Sequence, residues 1–167
     1  AHLIGYSDGG IIALMVAIKR PELVKSIVAF GANYHYSAPL SDFDEANVSE
    51  EDQAEYNLIS PDAPHTLLEK IKRMNEIWKT EPDISLSEIA SIQCPVLVMA
   101  GDDDVIAHAH TISLYEALPL GQLAIIPGTS HGLVKEKPAL LIAVMMQFLE
   151  DLSYPITRDP IRRTNNQ

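Results

Sequence analysis

The sequence has few sulfur ligands and few basic side chains. It contains one cysteine, Cys94, among 167 residues, so an internal disulfide framework and a multi-cysteine metal site are both excluded. Lysine and arginine together number 12 against 23 aspartates and glutamates, which gives a formal net charge of −11. Such a charge repels phosphate backbones and anionic lipid headgroups, and we therefore expect neither nucleic acid nor a membrane surface as a partner.

Long apolar runs, a secretory leader and an initiator methionine are also missing. The longest uncharged run, residues 117–134, is interrupted by Pro119, Gly121 and Pro127, and so it cannot form a membrane span. The start of the chain has neither the basic segment nor the long apolar segment of a signal peptide, which together with the lone cysteine favours a cytoplasmic location. Residues 1–4 have the pattern of a buried strand already under way, so we expect a fragment of a longer protein.

What is present is a regular alternation of buried strands and helices. Four apolar runs are continuous rather than alternating, which is typical of strands in a parallel sheet: residues 2–5, 26–31, 95–101 and 122–127. Helical patterns follow three of them, at residues 9–20, 105–118 and 138–152. This order predicts an α/β fold, with about four parallel strands, flanking helices and right-handed crossovers.

A longer, helical segment interrupts the alternation. We expect an α/β core at residues 1–33 and 93–154, a helical cap at residues 34–92, and a frayed tail at residues 155–167. One cap helix has an apolar stripe at Leu67, Leu68, Ile71, Met74, Ile77 and Trp78. Residues 42–69 hold nine acidic residues and no lysine or arginine. That run is either a solvated face or a source of negative potential near the site.

The strongest chemical motif lies between the first strand and the first helix. Gly5, Ser7 and Gly9 match the pattern G-x-S-x-G, with a buried strand before it and an apolar helix after it. In that context the pattern predicts a strained turn that exposes Ser7 as a nucleophile. A plain glycine-rich turn is the alternative, and a phosphate loop is disfavoured because the lysine of a P-loop is absent.

A nucleophilic serine needs a base, and the base needs a partner that orients it. Asp104 follows the third predicted strand and His131 follows the fourth, so both belong at the carboxyl edge of the sheet. The chain order serine, aspartate, histidine then assigns Ser7, Asp104 and His131 to a catalytic triad. The alternatives are a helix-capping role for Asp104, Asp102 or Asp103 as the acid, and an ordinary loop position for His131.

Other polar residues give weaker signals. His108 and His110 are not four residues apart, so they are expected to pack or lie at the surface rather than chelate a metal. Tyr34 stands where the cap leaves the core, and it either contacts substrate or packs at the hinge. Neither a metal nor an organic cofactor is expected.

These motifs resemble the C-terminal two-thirds of an α/β-hydrolase superfamily protein. The resemblance lies in residues 2–10, 94–104 and 127–131, and the elbow together with residues 31–33 is similar to the biphenyl-hydrolase-like and valacyclovir-hydrolase-like subgroup. In that subgroup the acid beside the nucleophile is implicated in binding a substrate amine, which implies this role for Asp8. Earlier strands and a His-Gly-type loop that gives the second oxyanion N–H are not found in this sequence.

The expected function is that of a serine hydrolase acting on a small carboxylic ester, with amine-bearing esters as a candidate subclass. The backbone N–H of Asp8 would be one oxyanion donor, and Asp8, Tyr6 and Tyr34 are the predicted substrate contacts. Three alternatives stay open: a cofactor-free C–C bond hydrolase, a perhydrolase, and a ligand-binding protein of the same fold without turnover. The chain alone is expected to self-associate or pair with an N-terminal half, and to lack full activity.

Overall fold

The computed structural model describes residues 1–40, 46–153 and 155–162. Within these ranges four strands form one parallel sheet in chain order: β1 (His2–Tyr6), β2 (Ser26–Phe30), β3 (Val96–Asp103) and β4 (Gly121–Ser130). The predicted parallel α/β sheet is therefore confirmed. Three acids of the predicted acidic run, Asp42, Asp44 and Glu45, lie outside the described residues, as do residues 163–167 of the tail.

Seven α-helices flank or cap the described sheet: α1 (Asp8–Lys19), α2 (Glu50–Ile59), α3 (Thr66–Trp78), α4 (Leu86–Ala90), α5 (His108–Ala117), α6 (Leu133–Glu136) and α7 (Pro138–Glu150). Helices α1, α4 and α5 contribute to the apolar core on one face of the sheet, which includes Leu14, Ile89 and Leu114. Helix α7 covers the other face, where Leu141 and Phe148 pack against β2 and β3. Every residue of β2 is buried, because this strand has neighbours on both edges and both faces.

Two element boundaries differ from the sequence prediction for a tertiary reason. Helix α5 begins at His108 rather than at Val105, because residues 105–107 pair with residues 38–40 near the start of the insertion. The N–H of Leu40 donates to the Val105 carbonyl oxygen at 2.7 Å, and the N–H of Ala107 donates to that of Ala38 at 3.1 Å. Strand β4 runs to Ser130 instead of Pro127, since Ser130 pairs with Asp103 beyond an irregularity in the ladder.

The two ends of the insertion between β2 and β3 lie next to each other. Helices α2, α3 and α4 lie in it, and Ser49 caps α2 by accepting the N–H of Asp52. Near its two ends, Ile84 N–H donates to the Tyr34 carbonyl oxygen at 2.9 Å, and an antiparallel bridge joins residues 35 and 83. The insertion therefore begins and ends at one point beside the carboxyl edge of the sheet.

One residue of the tail that the sequence predicts to be frayed, Arg162, is held against α5. Arg162 Nη2 donates to the carbonyl oxygens of Tyr115, Glu116 and Leu118 at 2.8, 2.9 and 2.7 Å. Its guanidinium also lies 4.0 Å from the centroid of the Tyr115 ring. The last carbonyls of a helix lack intrahelical partners, so Arg162 supplies donors at the end of α5.

Strand β1 is at an edge of the described sheet and pairs with β2 alone. Ile4 on β1 and Ile12 on α1 are 52% and 59% exposed. An unpaired strand edge beside exposed apolar side chains favours pairing with another chain. None of the helices in the described ranges is long and apolar enough to cross a membrane.

We expect this chain to self-associate through the β1 edge, with a sedimentation coefficient that rises with protein concentration. Replacing Ile4 with lysine should shift the equilibrium toward monomer, because a charge on an edge strand opposes pairing. The matched control is Ile142→Lys, on α7 and away from the β1 edge, where the isoleucine is 54% exposed. A wild-type chain that stays monomeric across the concentration series would contradict the expectation.

Candidate active site

Ser7 lies on the turn that joins β1 to α1, in a backbone conformation that is unusual for a residue with a side chain. Its φ is 52° and its ψ is −121°, and its N–H donates to the Phe30 carbonyl oxygen at 2.9 Å. The helix comes so close to the strand that a Cβ on Gly5 would lie 2.2 Å from the Gly9 carbonyl oxygen. Glycine is required there, and the strained turn projects Ser7 away from the sheet.

The structure brings the three predicted triad residues together. His131 Nε2 lies 3.1 Å from Ser7 Oγ, and His131 Nδ1 lies 2.8 Å from Asp104 Oδ1. The carboxylate is an acceptor, so the tautomer that fits has a proton on Nδ1 and leaves Nε2 free to accept from the serine hydroxyl. The Asp104 side chain is fully buried, while that of His131 is 24% exposed.

Asp104 is held in its charged form by hydrogen bonds. Burial alone would raise its pKa, but the hydrogen bond with His131 and the N–H of Ile106 outweigh burial and keep that pKa below its ordinary value. The carboxylate is turned inward, and α5 begins four residues after it with Ala107 at the N-cap. The helix-capping alternative for Asp104 is therefore not what the structure shows.

The two neighbouring acids have other positions. Asp102 accepts the N–H of Thr129 at 3.0 Å, and hydrogen bonds from the backbone of Gly128 and Thr129 lower its pKa. Asp103 is exposed. Of the three consecutive aspartates, Asp104 is the one that contacts His131, whereas Asp102 fastens the strand end that leads to the histidine.

The N–H of Asp8 is placed as an oxyanion donor would be. Helix α1 begins at Asp8, and the first N–H groups of a helix have no intrahelical acceptor. The carbonyl oxygen of Ser7 is engaged by the N–H groups of Gly10 and Ile11, at 2.9 and 3.2 Å. The N–H of Asp8 thus lies at the positive end of α1, next to the nucleophile, and its role as a donor stays a prediction.

A cavity of about 270 Å³ lies between the triad and the cap. Its lining residues include Ser7 and His131, the acidic residues Asp8 and Glu81, and the apolar residues Trp78 and Ile106. None of the described lining residues is lysine or arginine. The lining therefore combines apolar residues with two acidic residues, of which Asp8 adjoins the nucleophile in sequence.

A cap residue binds directly to the elbow. The indole Nε1 of Trp78, at the end of α3, lies 3.2 Å from each carboxylate oxygen of Asp8. Trp78, Glu81 and Asp8 also border a smaller apolar cavity of about 170 Å³ between α1 and α3. The sequence indicated Trp78 only as part of an apolar stripe, and no pattern singled out Glu81.

The two predicted tyrosine contacts, Tyr6 and Tyr34, are not among the described lining residues of the cavity. Tyr34 stacks on His110 with ring centroids 3.8 Å apart, and its hydroxyl bonds Ser113 Oγ at 3.0 Å, which corresponds to the hinge-packing alternative. The hydroxyl of Tyr6 donates to the backbone carbonyl oxygen of His131 at 3.0 Å. Contact of either side chain with a substrate stays a prediction.

Both histidines of α5 make internal contacts. His108 Nε2 lies 3.0 Å from the Gly101 carbonyl oxygen. His110 accepts the N–H of Tyr34, and burial, with a smaller contribution from the charge of His35, lowers its pKa to about 4. In the part of the chain that the structure describes, no cluster of three or more histidine, cysteine or acidic side chains is arranged to hold a metal ion.

Comparison with known proteins begins with sequence. No protein-family model matches the chain. The mouse (Mus musculus) protein called serine hydrolase BPHL is 27% identical over an alignment of 152 residues, and the match covers 78% of this chain and 48% of the mouse protein. The chain therefore spans about half the length of the curated relative that it matches.

Solved structures give a longer match at lower identity. A meta-cleavage product hydrolase from Pseudomonas fluorescens IP01 superposes with a TM-score of 0.70 at 19% identity, covering 90% of this chain and 64% of that one. The esterase RhEst1 from Rhodococcus sp. ECU1013 superposes with a TM-score of 0.67 at 19% identity, covering 92% of this chain and 66% of that one. At these identities the likeness shows a shared fold.

Proposed function

We propose that this chain, which has the α/β-hydrolase fold, carries the nucleophile, base and acid of a serine hydrolase that cleaves small carboxylic esters. The resemblance found in the sequence is confirmed at the level of the fold. The observation that carries the proposal is the continuous line of hydrogen bonds from Asp104 through His131 to Ser7. Those contacts have the donor and acceptor types, and the distances, that acyl transfer requires.

In the proposed reaction, Ser7 Oγ attacks the ester carbonyl while His131 Nε2 accepts the hydroxyl proton. The tetrahedral intermediate collapses, His131 returns the proton to the leaving alkoxide, and an acyl group remains on Ser7. Water then attacks the acyl-enzyme with His131 again as base, and the carboxylic acid is released. Asp104 holds Nδ1–H throughout and stabilises the imidazolium that forms in each half-reaction.

The developing negative charge on the carbonyl oxygen needs donors, and the N–H of Asp8 at the start of α1 would be one of them. In the superfamily that the sequence resembles, a second N–H comes from a loop that precedes the elbow strand. Removal of one such donor typically reduces the rate by a factor of about 10² to 10³. The activity should therefore be measured both on the 167-residue chain and on the longest natural form of the protein.

The proposed activity is tested directly by measuring hydrolysis of an ester and covalent labelling of Ser7 by a mechanism-based reagent. We expect turnover of p-nitrophenyl acetate by the longest form. We also expect a fluorophosphonate to attach to Ser7 in both forms, and faster in the longest form, because phosphonylation uses the activated serine and is also helped by the oxyanion donors. Mass spectrometry of the labelled peptide identifies the site. Absence of turnover and of labelling in both forms would contradict the proposed function.

We further propose a preference for esters that bear a cationic amine. Two carboxylates, Asp8 and Glu81, line the catalytic cavity, and the formal net charge of −11 attracts cations at long range. The indole N–H of Trp78 is neutral, so its contacts leave the charge of Asp8 in place. The alternative is that Asp8 serves only to bind the cap through Trp78.

The preference is measured by comparing an aminoacyl ester with its N-acetylated form. We expect kcat/KM of the wild type to favour the free amine by about tenfold or more, because a hydrogen bond to a charged partner is worth about 1.5–3 kcal/mol. Asp8→Asn should remove most of this ratio. Glu76→Gln, at an exposed position of α3, is the matched control and should keep it. Equal values for the two esters on the wild type would exclude the preference.

Hydrolysis of a C–C bond is the second candidate, and the superposition on the meta-cleavage product hydrolase favours it. The same triad could serve that reaction. The charge of the cavity opposes it, since Asp8 and Glu81 would repel the carboxylate of a ring-cleavage dienoate. Loss of the dienoate absorbance in the presence of the protein, with no turnover of esters, would favour the second candidate.

A further inference from the structure

Tyr6, the residue immediately before the nucleophile, contacts the loop that carries the base. Its hydroxyl donates to the backbone carbonyl oxygen of His131 at 3.0 Å. Its ring stacks on Phe30, the cross-strand neighbour in β2, with centroids 5.5 Å apart and an interplanar angle of 18°. The same ring lies tilted against the His131 imidazole, with centroids 5.2 Å apart.

This placement follows from the alternation of side chains along β1. Gly5 is packed against the start of α1, and Tyr6 therefore projects from the opposite face of the sheet. Phe30 supports the ring from the neighbouring strand, so the hydroxyl reaches the His131 loop from a rigid platform. The strand that carries Ser7 is thus bonded to the loop that carries its base, through the side chain next to Ser7 in sequence.

The other hydrogen bonds of the loop around His131 show which part of its backbone Tyr6 alone restrains. Glu136 on α6 accepts both the N–H and the hydroxyl of Ser130, each at 2.7 Å. Gly132 N–H donates to Ser130 Oγ at 3.1 Å. These bonds hold the residues on either side of His131, while the carbonyl of His131 itself is bonded to Tyr6.

The imidazole is also confined from the side of β2. Gly31 has a φ of 62°, and a Cβ there would lie 2.9 Å from His131 Cε1. The ring consequently packs against both Gly31 and Tyr6, with its two nitrogens directed at Ser7 and Asp104. A small rotation of the 131 peptide would move the ring away from one of these partners.

We propose that Tyr6 is a positioning residue for His131, a role that rests on the proposed serine hydrolase function. Its hydroxyl holds the His131 carbonyl, and this keeps Nε2 within reach of Ser7 while Nδ1 stays on Asp104. Tyr6 is not part of the described cavity wall, so its loss should slow the chemical step and leave substrate binding unchanged.

The test variant is Tyr6→Phe, which keeps the ring and its stacking and removes only the hydroxyl. The matched control is Tyr56→Phe in the cap, where the hydroxyl bonds Thr66 Oγ1 at 2.8 Å and also Lys70. We expect kcat of Tyr6→Phe on p-nitrophenyl acetate to fall about tenfold with KM within about twofold, as the loss of one hydrogen bond implies. The rate of fluorophosphonate labelling of Ser7 should fall by the same factor, and the control should match the wild type.

A readout independent of turnover is amide hydrogen exchange over residues 129–132. It should be faster in Tyr6→Phe than in the wild type, because the loop opens more often without the hydroxyl, and unchanged in the control. Wild-type labelling with an unchanged rate in Tyr6→Phe would overturn the positioning role and leave the proposed function standing. Slower labelling with unchanged exchange, or a rise in KM alone, would also overturn it. A wild type that neither hydrolyses esters nor takes the label would overturn both.

Discussion

Replacement of Ser7 by alanine should reduce ester hydrolysis by a factor of roughly 10³ to 10⁶, which is the range seen when a member of a catalytic triad is removed. The reason is chemical, since alanine offers no oxygen to attack the carbonyl. Alanine keeps the β-carbon, so the turn with φ 52° and the approach of α1 to β1 are unchanged. The melting temperature should therefore stay close to that of the wild type.

The measurement is kcat/KM on p-nitrophenyl acetate, together with fluorophosphonate labelling followed by mass spectrometry. Ser113→Ala is the matched control, because Ser113 lies on α5, where it bonds Tyr34 and is not part of the described cavity wall. That variant should hydrolyse the ester and take the label like the wild type. Activity of Ser7→Ala within tenfold of the wild type would mean that another group is the nucleophile.

Replacement of Asp104 by asparagine should lower kcat by about 10⁴-fold, the size reported for the equivalent change in a serine protease triad. An asparagine side chain is nearly the same shape as the aspartate, but its amide nitrogen can take the place of Oδ1, the oxygen that faces His131 Nδ1. It carries no charge, however, and it permits the imidazole to adopt the tautomer with a proton on Nε2. That tautomer cannot accept the proton of Ser7.

The neighbouring aspartate Asp103 provides the matched control for the Asp104→Asn variant. Asp103→Asn changes an exposed neighbour of the acid and should leave kcat within about twofold of the wild type, as surface substitutions usually do. Circular dichroism on both variants shows whether the fold is retained. If Asp103→Asn lost as much activity as Asp104→Asn, the loss would reflect a disturbed loop, and the assignment of the acid would be wrong.

Local patterns were sufficient to predict the sheet and the order of its strands along the chain. Continuous apolar runs report burial on both faces, and the four predicted strands all appear in one parallel sheet. Boundaries were less accurate where another part of the chain competes for the backbone. Residues 105–107 have a helical pattern, yet they pair with residues 38–40, which lie more than 60 positions earlier.

The role of a side chain could be predicted from the sequence only where spacing along the chain determines which residues it contacts. The spacing of the elbow, the acid and the histidine placed Ser7, Asp104 and His131 at one sheet edge, and the structure has them in contact. Tyr6 and Tyr34 were predicted to contact substrate because they stand beside the elbow and the hinge. Their actual partners are set by strand alternation and by α5, which a linear pattern does not report.

The two ends of the insertion meet, and the proposed catalytic residues lie outside the insertion whereas several residues that line the cavity lie within it. Residues 34 and 84 are joined by a backbone hydrogen bond, so a foreign segment could replace residues 46–82 without stretching the sheet, provided that residues 38–40 keep their pairing with residues 105–107. Ser7, Asp104 and His131 would all remain, whereas Trp78 and Glu81 would leave with the excised segment. Under the proposed hydrolase function, we expect that exchange of this segment would change which substrates are accepted while Ser7, Asp104 and His131 stay in place.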